Sequence, residues 1–179
     1  MLGGAAGLTF VSSVGPNGSW LVSDAAAKAT EYAIGAWVRI TPDNQLTIIT
    51  PAAEMGQGSM TGVPVALAEE LDADWSRVTL EMAPAEPKIY GYNTMRRGRP
   101  GKLMGIFGSR AVMKYFDQMR LAGAQARKVL LINAAQKWGV APASLKTEPS
   151  VVIHPPSGRR MTYGEIAAFA KIPAKMPTV

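Results

Sequence analysis

The chain has 179 residues, which is enough for one domain with a hydrophobic core or for one part of a larger protein. It contains no cysteine, so disulfides and cysteine-ligated iron–sulfur clusters are excluded from this chain, and the single histidine, His154, cannot form a histidine-based metal site alone. The net charge of +6 suits an anionic cofactor, an acidic partner or an anionic membrane surface, and it is modest for a nucleic-acid binder.

The N-terminal segment differs in composition from the rest of the chain. Residues 1–14 are small, apolar and uncharged, and they are too few to span a bilayer as a helix. They are similar to the apolar core of a secretory signal, and a frayed N-terminal tail is the alternative. We therefore predict a signal-like leader and linker over residues 1–34.

A β-hairpin is predicted next. Residues 37–41 and 46–50 are rich in β-branched residues, and they flank the segment Pro42–Gln45. Proline presets φ in this segment, while Asp43 and Asn44 favour a turn. The hairpin leads the chain into a glycine-rich loop.

A helix and a returning strand follow this loop. Thr61 is predicted to cap the helix, with Pro64 in its first turn, where a missing N–H costs little. Residues 77–82 alternate as a strand does, so the unit is β-β-α-β. The residues predicted to form the buried side of the helix are Val65, Leu67, Ala68 and Leu71.

The loop from Pro51 to Pro64 is the main functional candidate. A strand, a glycine-rich loop and a helix together present backbone N–H groups and a positive helix end to an anion. Gly56 and Gly58 can adopt positive φ, while Gln57 between them offers an amide that donates and accepts. Neither the phosphate-loop pattern nor the GxGxxG pattern is met, and a plain connector is the alternative.

Residues 83–106 show no periodicity, because prolines and glycines interrupt the segment, and a long loop is predicted there. The loop carries the basic cluster Arg96–Lys102. This cluster has three interpretations, namely a solvated flank, a docking edge for another subunit, or a clamp on phosphates.

A long helix is predicted from a cap at Ser109 to Trp138, closed by Gly139 and then Pro142. Its predicted apolar stripe consists of Val112, Phe116, Met119, Gly123, Ala126, Leu130 and Ala134. The side predicted to face outward carries Arg110, Lys114, Arg120, Arg127, Lys128 and Lys137 against the single acid Asp117.

The C-terminal part is predicted to begin with a second hairpin, in which residues 150–154 and 159–161 flank a turn. His154 is interpreted as a surface or turn-bonding residue rather than a ligand or a base. A capping box begins at Thr162 and opens a short helix through Ala170. Residues 171–179 are predicted to be a tail without a core of its own.

Several strings together resemble the molybdopterin-binding large subunit of the xanthine oxidase superfamily, from about residue 36 to the end. Within that superfamily, the chain resembles isoquinoline oxidoreductase beta subunits and the large subunits of membrane-bound aldehyde dehydrogenases. The string Gly105–Ser109 departs from the family's Thr-Gly-Gly-Ser segment. The strings that carry the resemblance are Glu54-Met55-Gly56-Gln57-Gly58, Val65–Val78, Leu121–Arg127 and Tyr163-Gly164-Glu165.

The resemblance implies cofactor contacts for the loop, which in such proteins holds the pterin and its pyrophosphate. Met55, Gly56 and Gln57 would face the cofactor, with the backbone of Gly58 beside them and Gln57 as the first choice for a direct hydrogen bond. Ser59 and Thr61 are second choices, because either residue can reach a phosphate or only cap the helix. Glu54 belongs to the loop, and we assign its carboxylate to loop hydrogen bonding.

The resemblance also implies the activity. The chain would be the cofactor-binding portion of a molybdenum hydroxylase that oxidises an aldehyde to a carboxylic acid, or hydroxylates an N-heterocycle, with water as oxygen donor. The cofactor would be molybdopterin cytosine dinucleotide with molybdenum, and no catalytic base and no metal ligand are assigned to this chain. A non-catalytic assembly or docking subunit of such a complex is the alternative.

The implied partners are the remaining large-subunit polypeptide, an iron–sulfur small subunit and a cytochrome c subunit, with iron–sulfur and haem groups only on the partners. No nucleic acid is expected, and membrane association is expected only through the complex, at the periplasmic face of the bacterial inner membrane. The expected fold class is α+β, with a mixed sheet built from hairpins, one long helix and two shorter helices. Residues 35–170 would form part of a larger molybdopterin-binding domain.

Overall fold

The computed structural model describes residues 8–10, 37–173 and 176–179. The predicted leader and linker lie outside the described residues, except for the short strand β1 at Leu8–Phe10. The helices of the described part of the chain include none that is long and apolar enough to cross a membrane.

The first sheet has four strands in the order β1-β2-β3-β4, with β2 at Val38–Ile40, β3 at Leu46–Thr50 and β4 at Val78–Met82. β1, β2 and β3 pair antiparallel, whereas β3 and β4 pair parallel. A parallel pair needs a crossover, and helix α1 at Ser59–Leu71 supplies it. The predicted β-β-α-β unit is therefore confirmed.

Helix α1 begins two residues before the predicted cap. Gly58 is its N-cap, so the prediction that Thr61 caps the helix is wrong, and Pro64 lies inside the helix rather than in its first turn. The earlier start is stabilised from the preceding loop, where the Glu54 carboxylate accepts hydrogen bonds from the Gly58 and Met60 N–H groups. Val65 is exposed instead of buried, while Leu67, Ala68 and Leu71 are buried as predicted.

Helix α2 at Pro87–Tyr90 and a hairpin of β5 at Tyr92–Arg96 and β6 at Arg99–Leu103 replace the predicted long loop. The turn between the strands places Arg97 and Gly98 at φ values of 51° and 73°, as a tight two-residue hairpin turn requires. Pro100 and Gly101 are uncommon inside strands, so β6 lacks the periodicity by which a strand is predicted.

Helix α3 spans Arg110–Trp138, as predicted, and it packs against α1. Ser109 is the N-cap, but its φ of 59° leaves its side chain without a capping hydrogen bond, so the predicted side-chain cap is wrong. The predicted stripe is also wrong at Val112 and Phe116, which are 51% and 44% exposed. Tyr115 is buried instead, because its ring packs edge-on against Tyr92, with ring centroids 5.4 Å apart.

A third sheet is an antiparallel meander of β7 at Lys146–Glu148, β8 at Val151–His154 and β9 at Arg159–Thr162. The predicted hairpin is confirmed, and β7 is an additional strand. His154 bonds within the turn, where its Nδ1 lies 2.7 Å from Ser157 Oγ. Helix α4 at Tyr163–Ala167 ends three residues before the predicted end.

The C-terminal segment lies along α3. Met176 is buried in the core, and the Lys128 ammonium donates to the Thr178 carbonyl at 2.7 Å. With helices of 13 and 29 residues, two short helices and mixed sheets, the chain has the expected α+β fold, and α2 is the additional short helix.

The capping box of α4 gives the first testable prediction. Thr162→Ala is expected to lower the free energy of unfolding by about 1 kcal/mol. Thr162 Oγ1 accepts from the Glu165 N–H at 3.2 Å, and the Glu165 carboxylate accepts from the Thr162 N–H at 2.7 Å. Urea denaturation measures this change. Thr61→Ala, in the exposed first turn of α1, is the matched control and should be neutral or slightly stabilising. An equal loss of unfolding free energy in both variants would contradict the assignment of Thr162 and Gly58 as the N-caps of α4 and α1.

Candidate functional site: the loop before helix α1

The candidate site is the loop that joins β3 to α1. Pro51 and Ala52 are buried and anchor the loop on the core, whereas residues 54–58 are exposed. Met55 is 75% exposed. The loop therefore presents a fixed backbone and an apolar side chain to the surroundings.

Glu54 holds the loop against the start of α1. Its carboxylate accepts from the backbone N–H groups of Gly56 at 2.7 Å, Gly58 at 3.0 Å and Met60 at 3.2 Å. These hydrogen bonds, led by the one from Gly58, keep the pKa of Glu54 below its usual value, because they favour the ionised carboxylate. The interpretation of Glu54 as a loop hydrogen-bonding residue thus agrees with the geometry.

The Gln57 side chain also forms hydrogen bonds within this loop. Its side-chain carbonyl accepts from the Met55 N–H at 2.6 Å, and its side-chain NH2 donates to the Ala53 carbonyl at 2.8 Å and to Ser59 Oγ at 2.6 Å. Both amide hydrogens are thus used inside the loop. A direct hydrogen bond between the Gln57 side chain and a cofactor remains a prediction. For such a bond, the side chain has one unused lone pair on Oε1.

The two glycines have a conformational role. Gly56 and Gly58 adopt φ values of 92° and 74°, which residues with a side chain rarely adopt. A Cβ built at either position would meet no atom of the described chain within 4 Å, so the backbone is bare on that side. Glycine is therefore required by the turn, and the bare backbone is open to a ligand.

The remaining predicted site residues lie in or beside the first turn of α1. Ser59 is buried, and its hydroxyl donates to the Ala53 carbonyl at 3.1 Å. Thr61 is exposed on the helix. Sequence reasoning missed the Ala53 carbonyl, which accepts from both Gln57 and Ser59, because a backbone acceptor has no sequence signal.

The basic cluster lies on the β5–β6 hairpin. Arg97, Arg99 and Lys102 are exposed on the β5–β6 hairpin, and no hydrogen bond or ion pair among the described residues joins them to the loop. Within the described ranges, no three His, Cys, Asp or Glu side chains come together as a metal site requires. Besides the Glu54 carboxylate, the loop and the first turn of α1 offer backbone, amide, thioether and hydroxyl groups to a ligand.

These groups fit one part of a polar heteroaromatic cofactor. The backbone is uncovered at Gly56 and Gly58, Met55 supplies a soft apolar face, and no described residue accepts from the Gln57 backbone N–H. The loop can thus form one wall of a cofactor site, and the other walls must be supplied by other residues.

The fold is that of part of a cofactor-binding domain, and the chain belongs to the molybdopterin cofactor-binding domain family, whose model matches residues 4–177. The resemblance to the molybdopterin-binding large subunits of the xanthine oxidase superfamily is thereby confirmed.

Two curated proteins are similar to the chain in sequence. The chain is 44% identical over 141 residues to isoquinoline 1-oxidoreductase subunit beta of Brevundimonas diminuta, a match that covers 79% of this chain and 17% of that protein. It is 31% identical over 132 residues to a membrane-bound aldehyde dehydrogenase (pyrroloquinoline-quinone) of Gluconacetobacter polyoxogenes, a match that covers 74% of this chain and 15% of that protein.

Solved structures share the fold. Quinoline 2-oxidoreductase from Pseudomonas putida 86 matches with a TM-score of 0.53 at 20% identity, over 73% of this chain and 15% of that one. CO dehydrogenase from Oligotropha carboxidovorans matches with a TM-score of 0.55 at 18% identity, over 75% of this chain and 16% of that one. The chain thus spans about one sixth of the length of these proteins.

Proposed function

We propose that the chain is the cofactor-binding portion of a molybdenum hydroxylase that oxidises an aldehyde to a carboxylic acid or hydroxylates an N-heterocycle, with water as oxygen donor. The observation that carries this proposal is the exposed loop before α1, whose bare glycine backbone is held in place by Glu54 and Gln57. Family membership supports the same conclusion, because the matched domain binds the molybdopterin cofactor.

The loop residues have separate roles in this proposal. Met55, Gly56, Gln57 and Gly58 face the cofactor, and Glu54, Ser59 and Thr61 support them or reach its polar groups. The cofactor, molybdopterin cytosine dinucleotide with molybdenum, supplies the redox chemistry when it is bound, and the chain binds and orients it. The base for the reaction lies outside the residues assigned here.

The proposal includes both substrate classes because each is supported by one relative. The names of the two curated proteins refer to an isoquinoline and to an aldehyde. Electrons would pass through an iron–sulfur subunit to cytochrome c at the periplasmic face of the inner membrane. The remaining polypeptide of the large subunit completes the site in this proposal, since the chain spans 17% and 15% of those relatives.

A non-catalytic docking subunit is the second candidate, and the surface of α3 favours it. Phe107, Val112, Met113 and Phe116 are between 44% and 65% exposed at and just before the first turns of this helix. The guanidinium of Arg110 lies 5.0 Å from the Phe107 ring centroid, in cation–π contact. Exposed apolar and basic residues of this kind suit a protein partner.

The test is the molybdenum and pterin content of the complex purified through this chain. Gln57→Ala is expected to weaken cofactor retention about tenfold or more, because it removes hydrogen bonds worth about 1 kcal/mol each that hold the loop. Gln45→Ala, at an exposed glutamine in the β2–β3 turn, is the matched control.

The possible outcomes separate the two candidates. Unchanged molybdenum and pterin in the Gln57→Ala complex would refute the assignment of Gln57. It would also favour the docking subunit, because other polypeptides of the complex would then hold the cofactor.

A further inference from the structure

A groove of about 510 Å³ lies between helix α3 and the turn at Pro142–Ser144. Most of its wall is apolar, and Leu131, Ile132 and Pro142 contribute to it. Leu131 and Ile132 are half-buried, so the described chain covers their side chains only in part. An apolar groove of this kind suits the apolar groups of a ligand or a partner.

Arg127 carries a positive charge into this groove, and the described part of the chain provides no acceptor for it. The side chain is half-buried, its Nε is fully covered, and no described residue accepts a hydrogen bond from this nitrogen. Among the described ion pairs, none includes Arg127. A covered guanidinium without an acceptor is unfavourable, because its charge and its N–H groups have lost water without gaining a partner. The groove is therefore suited to an anion.

The residues around Arg127 do not supply this anion. Burial raises the pKa of Tyr163, the Asp72 carboxylate raises it further, and the positive charge of Arg127 lowers it, so Tyr163 lies within reach of both charges. Neither Tyr163 nor Asp72 forms a hydrogen bond or an ion pair with the Arg127 guanidinium. Glu70 of α1 lines the groove, but its carboxylate accepts from the Arg120 Nε at 2.7 Å.

Lys128 adds a second positive charge beside Arg127. Its side chain is exposed at the groove, and its ammonium uses one N–H group to donate to the Thr178 carbonyl at 2.7 Å. Arginine presents its N–H groups as a planar fork that matches the two oxygens of a carboxylate. A carboxylate attached to an apolar body fits both the charges and the apolar wall. An Asp or Glu side chain with apolar neighbours in a polypeptide has this composition.

We propose that this groove receives an Asp or Glu side chain of the remaining large-subunit polypeptide, with Arg127 as the fork for its carboxylate and Lys128 beside it. Apolar neighbours of that acid pack on Leu131 and Pro142. The proposal rests on the proposed function, which includes this polypeptide because the chain spans 17% and 15% of its curated relatives. It goes further by assigning the surface at which the two polypeptides meet and the charge that the partner presents.

The first measurement is the rate at which the long polypeptide leaves the complex purified through this chain. Arg127→Met is expected to release it at least about tenfold faster than the wild type, because loss of one member of a buried charge pair acts mainly on dissociation. Arg127→Lys should be intermediate, since it retains the charge and loses the fork. Lys146→Met is the matched control, at an exposed lysine of β7 outside the groove, and should release the polypeptide at the wild-type rate.

The isolated 179-residue chain shows whether Arg127→Met simply fails to fold. Methionine keeps an apolar stem against the groove and removes a guanidinium whose covered Nε has no acceptor among the described residues. The variant should therefore unfold at the same urea concentration as the wild type or at a higher one. A role of Arg127 in the fold of the chain alone predicts the opposite sign, so a lower urea midpoint would overturn the proposal.

A carbodiimide crosslink identifies the occupant of the groove, because this reagent joins a carboxylate to a lysine amine in direct contact. Lys128 lines the groove and is the lysine to follow. Mass spectrometry should find Lys128 joined to an Asp or Glu of the long polypeptide in the wild-type complex, with a lower yield in Arg127→Met. A crosslink from Lys128 only to a carboxylate of its own chain, such as Glu70, would show that the groove supplies its own anion and would refute the proposal.

Two further results would contradict the proposal. One is an equal release rate for the wild type and Arg127→Met, and the other is a chain that purifies without a second polypeptide. None of these readouts depends on molybdenum, whereas the proposed function is tested by the metal and pterin content of the complex, so the two failures are distinguishable.

Discussion

Gly123→Ala is expected to lower the free energy of unfolding by about 2 kcal/mol, because overpacking a close helix contact typically costs this much. Gly123 lies in the middle of α3, where a Cβ would be 2.2 Å from the Leu67 carbonyl oxygen and 3.0 Å from the Glu70 Cβ of α1. A distance of 2.2 Å is not accommodated by a side-chain rotation, because the nearer atom belongs to the helix backbone. The two helices must separate, and the packing around the buried Leu67 and Met119 is lost.

The expected sign is the opposite of what helix propensity alone predicts. Alanine is favoured over glycine in a helix interior by about 1 kcal/mol. Gly62→Ala in α1 isolates this effect, because its Cβ would meet no atom of the described chain within 4 Å. Urea denaturation followed by tryptophan fluorescence should therefore show one stabilised and one destabilised variant. If both glycine replacements stabilise the chain equally, the close approach of α1 and α3 is wrong.

Asn44→Ala is expected to lower the free energy of unfolding by about 3 kcal/mol. Asn44 is buried in the β2–β3 turn, and its side-chain carbonyl accepts from the Gly164 N–H of α4 at 2.9 Å. Alanine leaves this buried N–H without a partner. It must also adopt the φ of 65° that Asn44 has, which asparagine tolerates better than alanine.

A second replacement separates the two contributions. Asn44→Gly removes the hydrogen bond but adopts positive φ freely, so it should be about 1 kcal/mol less destabilised than Asn44→Ala. Asn93→Ala, at an exposed asparagine of β5, is the control and should change stability little. Equal stability of the alanine and glycine variants would contradict a left-handed conformation at residue 44.

Local patterns predicted several elements correctly. The turn chemistry of Pro42–Gln45 located the first hairpin, the capping box at Thr162 located the start of α4, and Gly139 located the end of α3. Each of these signals resides in adjacent residues, and adjacent residues decide such features because the hydrogen bonds involved are local.

Two of the failed predictions depended on contacts between distant residues. The β5–β6 hairpin lacks the alternation of a strand, and its position depends on Tyr92 packing against Tyr115 of α3. The same contact places Tyr115, rather than Phe116, on the buried side of α3. Helical spacing alone cannot choose between neighbouring residues when both are aromatic.

The sequence by itself determined that a glycine-rich loop joins a strand to a helix, and its string of residues indicated the family. Only the tertiary structure decided which hydrogen bonds the loop residues form. It showed that Glu54 accepts from three backbone N–H groups and that Gln57 is hydrogen-bonded within the loop. The physical reason is that backbone N–H groups are present at every residue except proline, so their partners are set by the path of the chain and not by residue type.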